Sequence, residues 1–138
     1  MDRISNPSGG TRPDFYRFHQ GEKTLPFADA EYEARLTGLR TMMARNGIDA
    51  GVLTSMHNVA YYSGFLYCAF GRPYAQVVTA SDIVTFSAGI DAAQPWRRCY
   101  GDNITYTDWR RNNHWRAILS VTGKGKVIGF EGDHISVA

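Results

Sequence analysis

The sequence predicts a layered α/β domain in which a mixed β-sheet is flanked by helices. Its helical and strand-like segments follow the order α-β-α-β-β-α-β-α-β, and such interleaving is typical of helices packed on a sheet. Two successive strands are separated only by residues 80–82, which favours an antiparallel hairpin within that sheet. A chain of 138 residues with 43% hydrophobic content is long enough to bury one sizeable core.

The clearest element is a helix over residues 29–46. Its apolar residues recur at spacings of 4, 3 and 4, which places them on one face of the helix. They are Tyr32, Leu36, Leu39 and Met43. Gly47 is a suitable C-terminal stop, and residues 48–54 are then predicted to form a strand.

A shorter helix is predicted over residues 56–63, where Ser55 can cap the N-terminus and Gly64 can end the helix. Residues 91–98 are predicted to form one or two helical turns, the second of which can start at Pro95. The remaining predicted elements are strands at 74–79, 83–88, 104–107 and 127–130 and a helix at 111–121.

Both ends of the chain differ from this pattern. Residues 1–26 form a predicted flexible lead segment, since residues 5–13 are rich in Gly, Ser and Pro. Three aromatic residues could pin the following part onto the body of the domain or onto a partner subunit; they are Phe15, Tyr16 and Phe18. Residues 27–138 form the predicted domain. Residues 131–138 resemble a loop that opens another helix, so we expect a truncated fragment of a longer protein.

Composition and residue spacing exclude several classes of function. The net charge of +2 is dispersed, so we expect no nucleic-acid partner. No apolar run approaches 18 residues and the start lacks a signal-peptide core, so we expect a cytoplasmic protein without a membrane partner. The four histidines are isolated, and no nucleophile–base pair is visible. We therefore expect no metal, no cofactor and no catalytic residue in this chain.

The segment from Asn58 to Tyr74 is the most distinctive. Six of its seventeen residues are aromatic, and its one charged residue is Arg72, between Gly71 and Pro73. A guanidinium keeps its charge and offers a fork of donors that fits a carboxylate. The segment is therefore a candidate site for a small anionic molecule. The alternative is a core aromatic cluster with an arginine in a surface ion pair, and composition alone favours it because structural ion pairs are common.

Two further stretches place a tryptophan beside two arginines. They are Trp96-Arg97-Arg98 and Asp108-Trp109-Arg110-Arg111. Both compositions suit a subunit interface or the capture of an anion. The alternative is a solvated face on which the arginine stems cover apolar surface, and the residues alone leave the two open.

The chain resembles the N-terminal domain of the creatinase, Xaa-Pro dipeptidase and aminopeptidase P family. The features shared with the whole family are residues 48–55, Asn58 and residues 62–65. The creatinase-like stretches are residues 67–74, 94–98 and 103–109. The similarity covers residues 27–134 and departs from creatinase at Gly64, where creatinase has an acidic residue and the wider family has glycine.

The resemblance implies a ribonuclease H-like N-terminal domain, followed in the whole protein by a pita-bread catalytic domain. It implies a homodimer that hydrolyses creatine to sarcosine and urea without metal, in which the N-terminal domain covers the neighbouring subunit's active site. Phe70 and Arg72 match the two residues that reach into that site, Arg72 toward the substrate carboxylate. The alternatives are a related Xaa-Pro peptidase, an ectoine-type hydrolase, or a non-catalytic binding module.

Overall fold

The computed structural model describes residues 3–5, 13–66, 71–91 and 93–135. Within these ranges it confirms the predicted α/β class, with one sheet of seven strands in the order β1-β2-β6-β5-β4-β3-β7. The strands are β1 (Arg3–Ser5), β2 (Phe15–Arg17), β3 (Ala50–Leu53), β4 (Ala75–Thr79), β5 (Ile83–Ala88), β6 (Asp102–Tyr106) and β7 (Ile128–Phe130). The helices are α1 (Asp29–Arg45), α2 (Met56–Ser63), α3 (Gln94–Arg98) and α4 (Asn113–Thr122), and Gly89–Asp91 forms a short 3₁₀ turn.

The sheet is mixed, as the sequence predicts. Strand β4 pairs antiparallel with both β3 and β5, which confirms the hairpin across residues 80–82. The β5–β6 and β3–β7 pairs are parallel. Ala75 lies opposite Phe86, and Ala88 lies opposite Tyr106. The start of β4 and the ends of β5 and β6 therefore meet at the same end of the sheet.

Helices cover both faces of the sheet, and each face has its own core. Alternate strand residues such as Val77 and Phe86 pack with Ala117 and Ile118 of α4. The opposite face packs against α1 and α2 through residues such as Leu36 and Val59. The predicted stripe on α1 is confirmed because Tyr32, Leu36 and Met43 are buried, and Leu39 packs partly buried against the same core.

The residues that the sequence predicts as caps mark the ends of the helices. The side chain of Ser55 accepts a hydrogen bond from the Asn58 amide at 3.3 Å, and Gly64 ends α2 with φ +78°. Pro95 lies in the first turn of α3, which begins three residues after the predicted start at residue 91. Helix α4 begins two residues after its predicted start, because Asn112 adopts φ +67°, a left-handed conformation.

Strands β1 and β2, in the lead segment, are not among the elements that the sequence predicts. Phe15 is buried and lies opposite Tyr106, so β2 covers the outer edge of β6. This pairing joins residues about 90 positions apart, and no local periodicity signals it. The predicted mobility of residues 5–13 falls mostly on residues 6–12, which lie outside the described residues. The division at residue 26 remains a prediction.

Candidate functional site

Arg72 lies in the loop that enters β4, at the end of the sheet where β6 finishes. Its side chain is 45% exposed, and its Nε donates to Asp108 Oδ2 at 2.9 Å. Its Nη1 lies 3.5 Å from the Gly71 carbonyl oxygen, at the limit of a hydrogen bond. The arginine is therefore in a surface ion pair, and its guanidinium still reaches solvent.

A cavity of about 300 Å³ opens beside Arg72 and is bounded by the loop that follows β6. Arg110 and Arg111 line it as well, so three arginines and one acidic residue, Asp108, line the space. Arg110 also lies 3.7 Å from the buried carboxylate of Asp14. A predominantly cationic cavity of this kind suits an anionic group.

The loop after β6 is held by the lead segment. The Thr107 amide donates to the Asp14 carbonyl oxygen at 2.9 Å, and the Thr107 hydroxyl donates to the Pro13 carbonyl oxygen at 2.8 Å. The indole N–H of Trp109 donates to the same Pro13 oxygen at 2.8 Å. Asp108 therefore lies between two anchored residues.

His114 lines the cavity from the first turn of α4. His114 is only 6% exposed, and its ring lies edge-on to Tyr106, with the ring centroids 5.0 Å apart. Burial lowers the pKa of His114 from 6.5 to about 4, so the imidazole is neutral at pH 7. The Tyr106 hydroxyl donates to the Pro73 carbonyl oxygen at 2.5 Å, which fixes the residue after Arg72.

The other predicted contact residues lie elsewhere. The Trp96 indole donates to the Gly21 carbonyl oxygen at 3.0 Å and stacks on His19 with ring centroids 3.9 Å apart. Arg97 and Arg98 line a separate cavity of about 580 Å³ next to Gly64. Thus both Trp96 and Trp109 bind the lead segment of their own chain, and a role of these residues in an interface or in anion contacts stays a prediction.

Phe70, the second predicted substrate contact, lies outside the described residues. Asp108, Arg110 and Arg111 belong to a stretch that the sequence singles out, but their proximity to Arg72 could not be read from it. Across the described ranges, no three His, Cys, Asp or Glu side chains form a group that could hold a metal ion. None of the described helices is long and apolar enough to cross a membrane.

Comparison with known proteins identifies the fold and the family. Residues 35–138 match the model of the creatinase/prolidase N-terminal domain family. The structure resembles the creatinase/prolidase N-terminal domain of an X-Pro dipeptidase from Streptococcus pyogenes, with a TM-score of 0.65 and 22% identity, covering 75% of this chain and 80% of that chain. At that identity the likeness establishes the fold. The chain belongs to the creatinase/prolidase N-terminal domain family.

Two relatives of known activity are similar in sequence. The chain is 48% identical over 122 residues to creatinase from Bacillus sp. (strain B-0618), which covers 85% of this chain and 30% of that protein. It is 34% identical over 86 residues to ectoine hydrolase from Halomonas elongata, which covers 60% of this chain and 22% of that protein. The chain therefore spans less than a third of the length of either relative, and both relatives are hydrolases.

Proposed function

We propose that this chain is the N-terminal domain of a creatinase-type hydrolase, which converts creatine and water to sarcosine and urea. The domain covers the active site of the neighbouring subunit in a homodimer, and Arg72 supplies a cation for the substrate carboxylate. The observation that carries this proposal is the placement of Arg72, half-exposed at the mouth of a cavity that two more arginines line. The 48% identity to a creatinase supports the choice of substrate.

The chemistry of the site fits one end of creatine. A guanidinium binds a carboxylate through two parallel N–H bonds when its terminal nitrogens are accessible. Closure of a second domain over Arg72 would remove water from that contact and strengthen it. In this proposal Phe70 walls the pocket, and the catalytic groups come from the C-terminal domain of the full-length protein.

A related hydrolase is the second candidate, because ectoine hydrolase is 34% identical to the chain. Ectoine and Xaa-Pro dipeptides also carry a carboxylate, so Arg72 alone would suit all three substrates. The higher identity to creatinase favours creatine.

The substrate is tested with purified full-length protein supplied with creatine, with ectoine and with a Xaa-Pro dipeptide in parallel. We expect urea and sarcosine from creatine and negligible turnover of the other two. The isolated 138-residue chain is expected to release no urea. Cleavage of the dipeptide or of ectoine, without urea from creatine, would reassign the substrate within the family.

The role of Arg72 is tested by Arg72→Ala in the full-length protein. Loss of one partner from a desolvated charge pair costs about 2–5 kcal/mol, which lowers kcat/KM roughly 30-fold to several thousandfold. Arg72→Lys should recover only part of the loss, because an ammonium lacks the fork.

Arg45→Ala is the matched control for this substitution. Arg45 is exposed in the last turn of α1 and makes no hydrogen bond or ion pair within the described ranges. Both variants should melt within a few degrees of the wild type, since exposed ion pairs contribute only ~0–1 kcal/mol. Normal kcat/KM in a folded Arg72→Ala protein would remove Arg72 from the substrate site.

A further inference from the structure

We infer that Asp108 is a positioning residue, which holds the Arg72 guanidinium by one edge and presents its other edge to the substrate carboxylate. The inference rests on the proposed function of Arg72. It assigns a second residue to the same site, on a different loop, 36 positions away in the sequence.

The geometry of the ion pair carries the inference. A guanidinium can bind a carboxylate side-on through Nε and one Nη, or end-on through both Nη atoms. Asp108 uses one oxygen, Oδ2, and contacts Nε at 2.9 Å. Within the described residues Nη1 has only the 3.5 Å contact to Gly71 and Nη2 makes no hydrogen bond. As far as the described residues are concerned, the end-on edge of the guanidinium, formed by Nη1 and Nη2, is therefore available for a second carboxylate.

Among the described residues, only Asp108 and the Gly71 carbonyl oxygen accept hydrogen bonds from the side chain of Arg72. Gly71 adopts φ +82°, and a Cβ built at Gly71 would meet no atom of the described residues within 4 Å, its chain neighbours aside. Gly71, Arg72 and Pro73 are all exposed. A long side chain on such a loop has many rotamers, and fixing one of them costs conformational entropy. The bond to Asp108 removes part of that freedom before the substrate arrives.

Asp108 is itself well placed to act as an anchor. Its neighbours Thr107 and Trp109 are tied to the Pro13 carbonyl oxygen. The side chain of Asn113 donates to the Thr107 carbonyl oxygen at 3.0 Å, which fixes the other end of the loop. The lead segment thus holds the loop, the loop holds Asp108, and Asp108 orients Arg72.

Asp108 could instead compete with the substrate carboxylate. The surrounding charges favour the positioning role, because Arg110 and Arg111 line the same cavity and keep its charge positive. The two roles predict opposite effects when Asp108 is removed. Positioning lowers kcat/KM on removal, whereas competition raises it.

The test is a double-mutant cycle in the full-length protein, with creatine as substrate. Asp108→Ala should lower kcat/KM about tenfold, between the small effect of an exposed ion pair and the hundredfold cost of a group misplaced by ~1 Å. In the Arg72→Ala background the further loss should be less than about twofold, because the group to be positioned is gone. Asp108→Asn keeps an acceptor for Nε and should retain part of the activity.

Asp133→Ala is the control, because Asp133 is an exposed acid with no hydrogen bond or ion pair within the described ranges. It should leave kcat/KM unchanged. Equal losses for Asp108→Ala in the wild-type and Arg72→Ala backgrounds would show a general structural role and overturn the inference. A gain or no change on Asp108→Ala would also overturn it. If Arg72→Ala alone leaves kcat/KM unchanged, the proposed role of Arg72 is refuted. That outcome is visible in the single variant and is thus distinguished from a failure of the inference about Asp108.

Discussion

Glu131 is expected to be a main determinant of the stability of this domain. It follows β7, and its carboxylate binds the turn between β3 and α2. It accepts hydrogen bonds from the Thr54 amide at 2.6 Å, the Ser55 amide at 2.8 Å and the Ser55 hydroxyl at 2.6 Å, and also from the Asn58 side chain. One side chain thus joins the last described strand to the N-terminus of α2.

The cost of removing Glu131 follows from these contacts. Hydrogen bonds to a charged group contribute about 1.5–3 kcal/mol each when buried. Glu131 is only partly buried, so water replaces much of what is lost. We expect Glu131→Ala to lower the free energy of unfolding by about 2–3 kcal/mol and the Tm by about 10 °C. Glu131→Gln keeps the shape and one acceptor and should cost about half as much.

The charge of Glu131 also predicts a pH dependence. Burial raises its pKa, but the hydrogen bonds from Ser55, Thr54 and Asn58 outweigh burial and lower the pKa from 4.5 to about 2. A carboxyl group whose pKa is lower in the folded state stabilises the fold fully above pH 4.5 and loses that contribution as the pH falls toward 2. The difference in stability between wild type and Glu131→Gln should therefore narrow over this window.

Urea denaturation of the 138-residue chain, repeated from pH 7 to pH 3, measures both effects. Asp133→Asn is the matched control, since it removes an exposed acid two residues away in the same loop. It should leave the unfolding midpoint unchanged at every pH. A stability difference between wild type and Glu131→Gln that does not change with pH would contradict the role of the charge. A loss of less than ~0.5 kcal/mol in the free energy of unfolding for Glu131→Ala would refute the stabilising role of Glu131.

Two further predictions concern Gly64 and His114. Gly64→Ala should destabilise the domain by about 3 kcal/mol, because φ is +78° and the new Cβ would lie 2.5 Å from the Tyr32 hydroxyl. In a Tyr32→Phe background the loss in urea denaturation should be smaller, and an equal loss would mean that the contact with Tyr32 is irrelevant. Because burial lowers the pKa of His114 from 6.5 to about 4, the unfolded chain takes up a proton that the folded chain does not, and stability should fall as the pH drops through this window. His114→Phe should flatten the slope of stability against pH between 6.5 and 4. An unchanged slope would show that other titratable groups cause this pH dependence.

Local signals in the sequence predict most of the elements. The 4, 3, 4 spacing of apolar residues places α1 over residues 29–46, against Asp29–Arg45 in the structure. Ser55 and Gly64 predict the bounds of α2 correctly because they act on the backbone of that helix itself. Strand β2 was missed because its signal is the distant pairing of Phe15 with Tyr106.

The site shows the same division between local and distant information. Arg72 stands out in the sequence as the one charge in an aromatic segment. Its partner Asp108 does not, because the two meet only where the start of β4 and the end of β6 reach the same end of the sheet. The anchoring of Trp109 to Pro13 is likewise a product of the fold and has no sequence signature.

The most direct test of the proposed function is complementation between subunits of the full-length protein. One subunit carries Arg72→Ala with an intact catalytic domain, and the other carries wild-type Arg72 with an inactivated catalytic domain. If Arg72 acts on the neighbouring subunit's site, isolated hybrid dimers regain one complete site and should recover about half of the wild-type urea release per dimer. Hybrid dimers no more active than the Arg72→Ala homodimer would contradict the claim that this domain serves the active site of its neighbour.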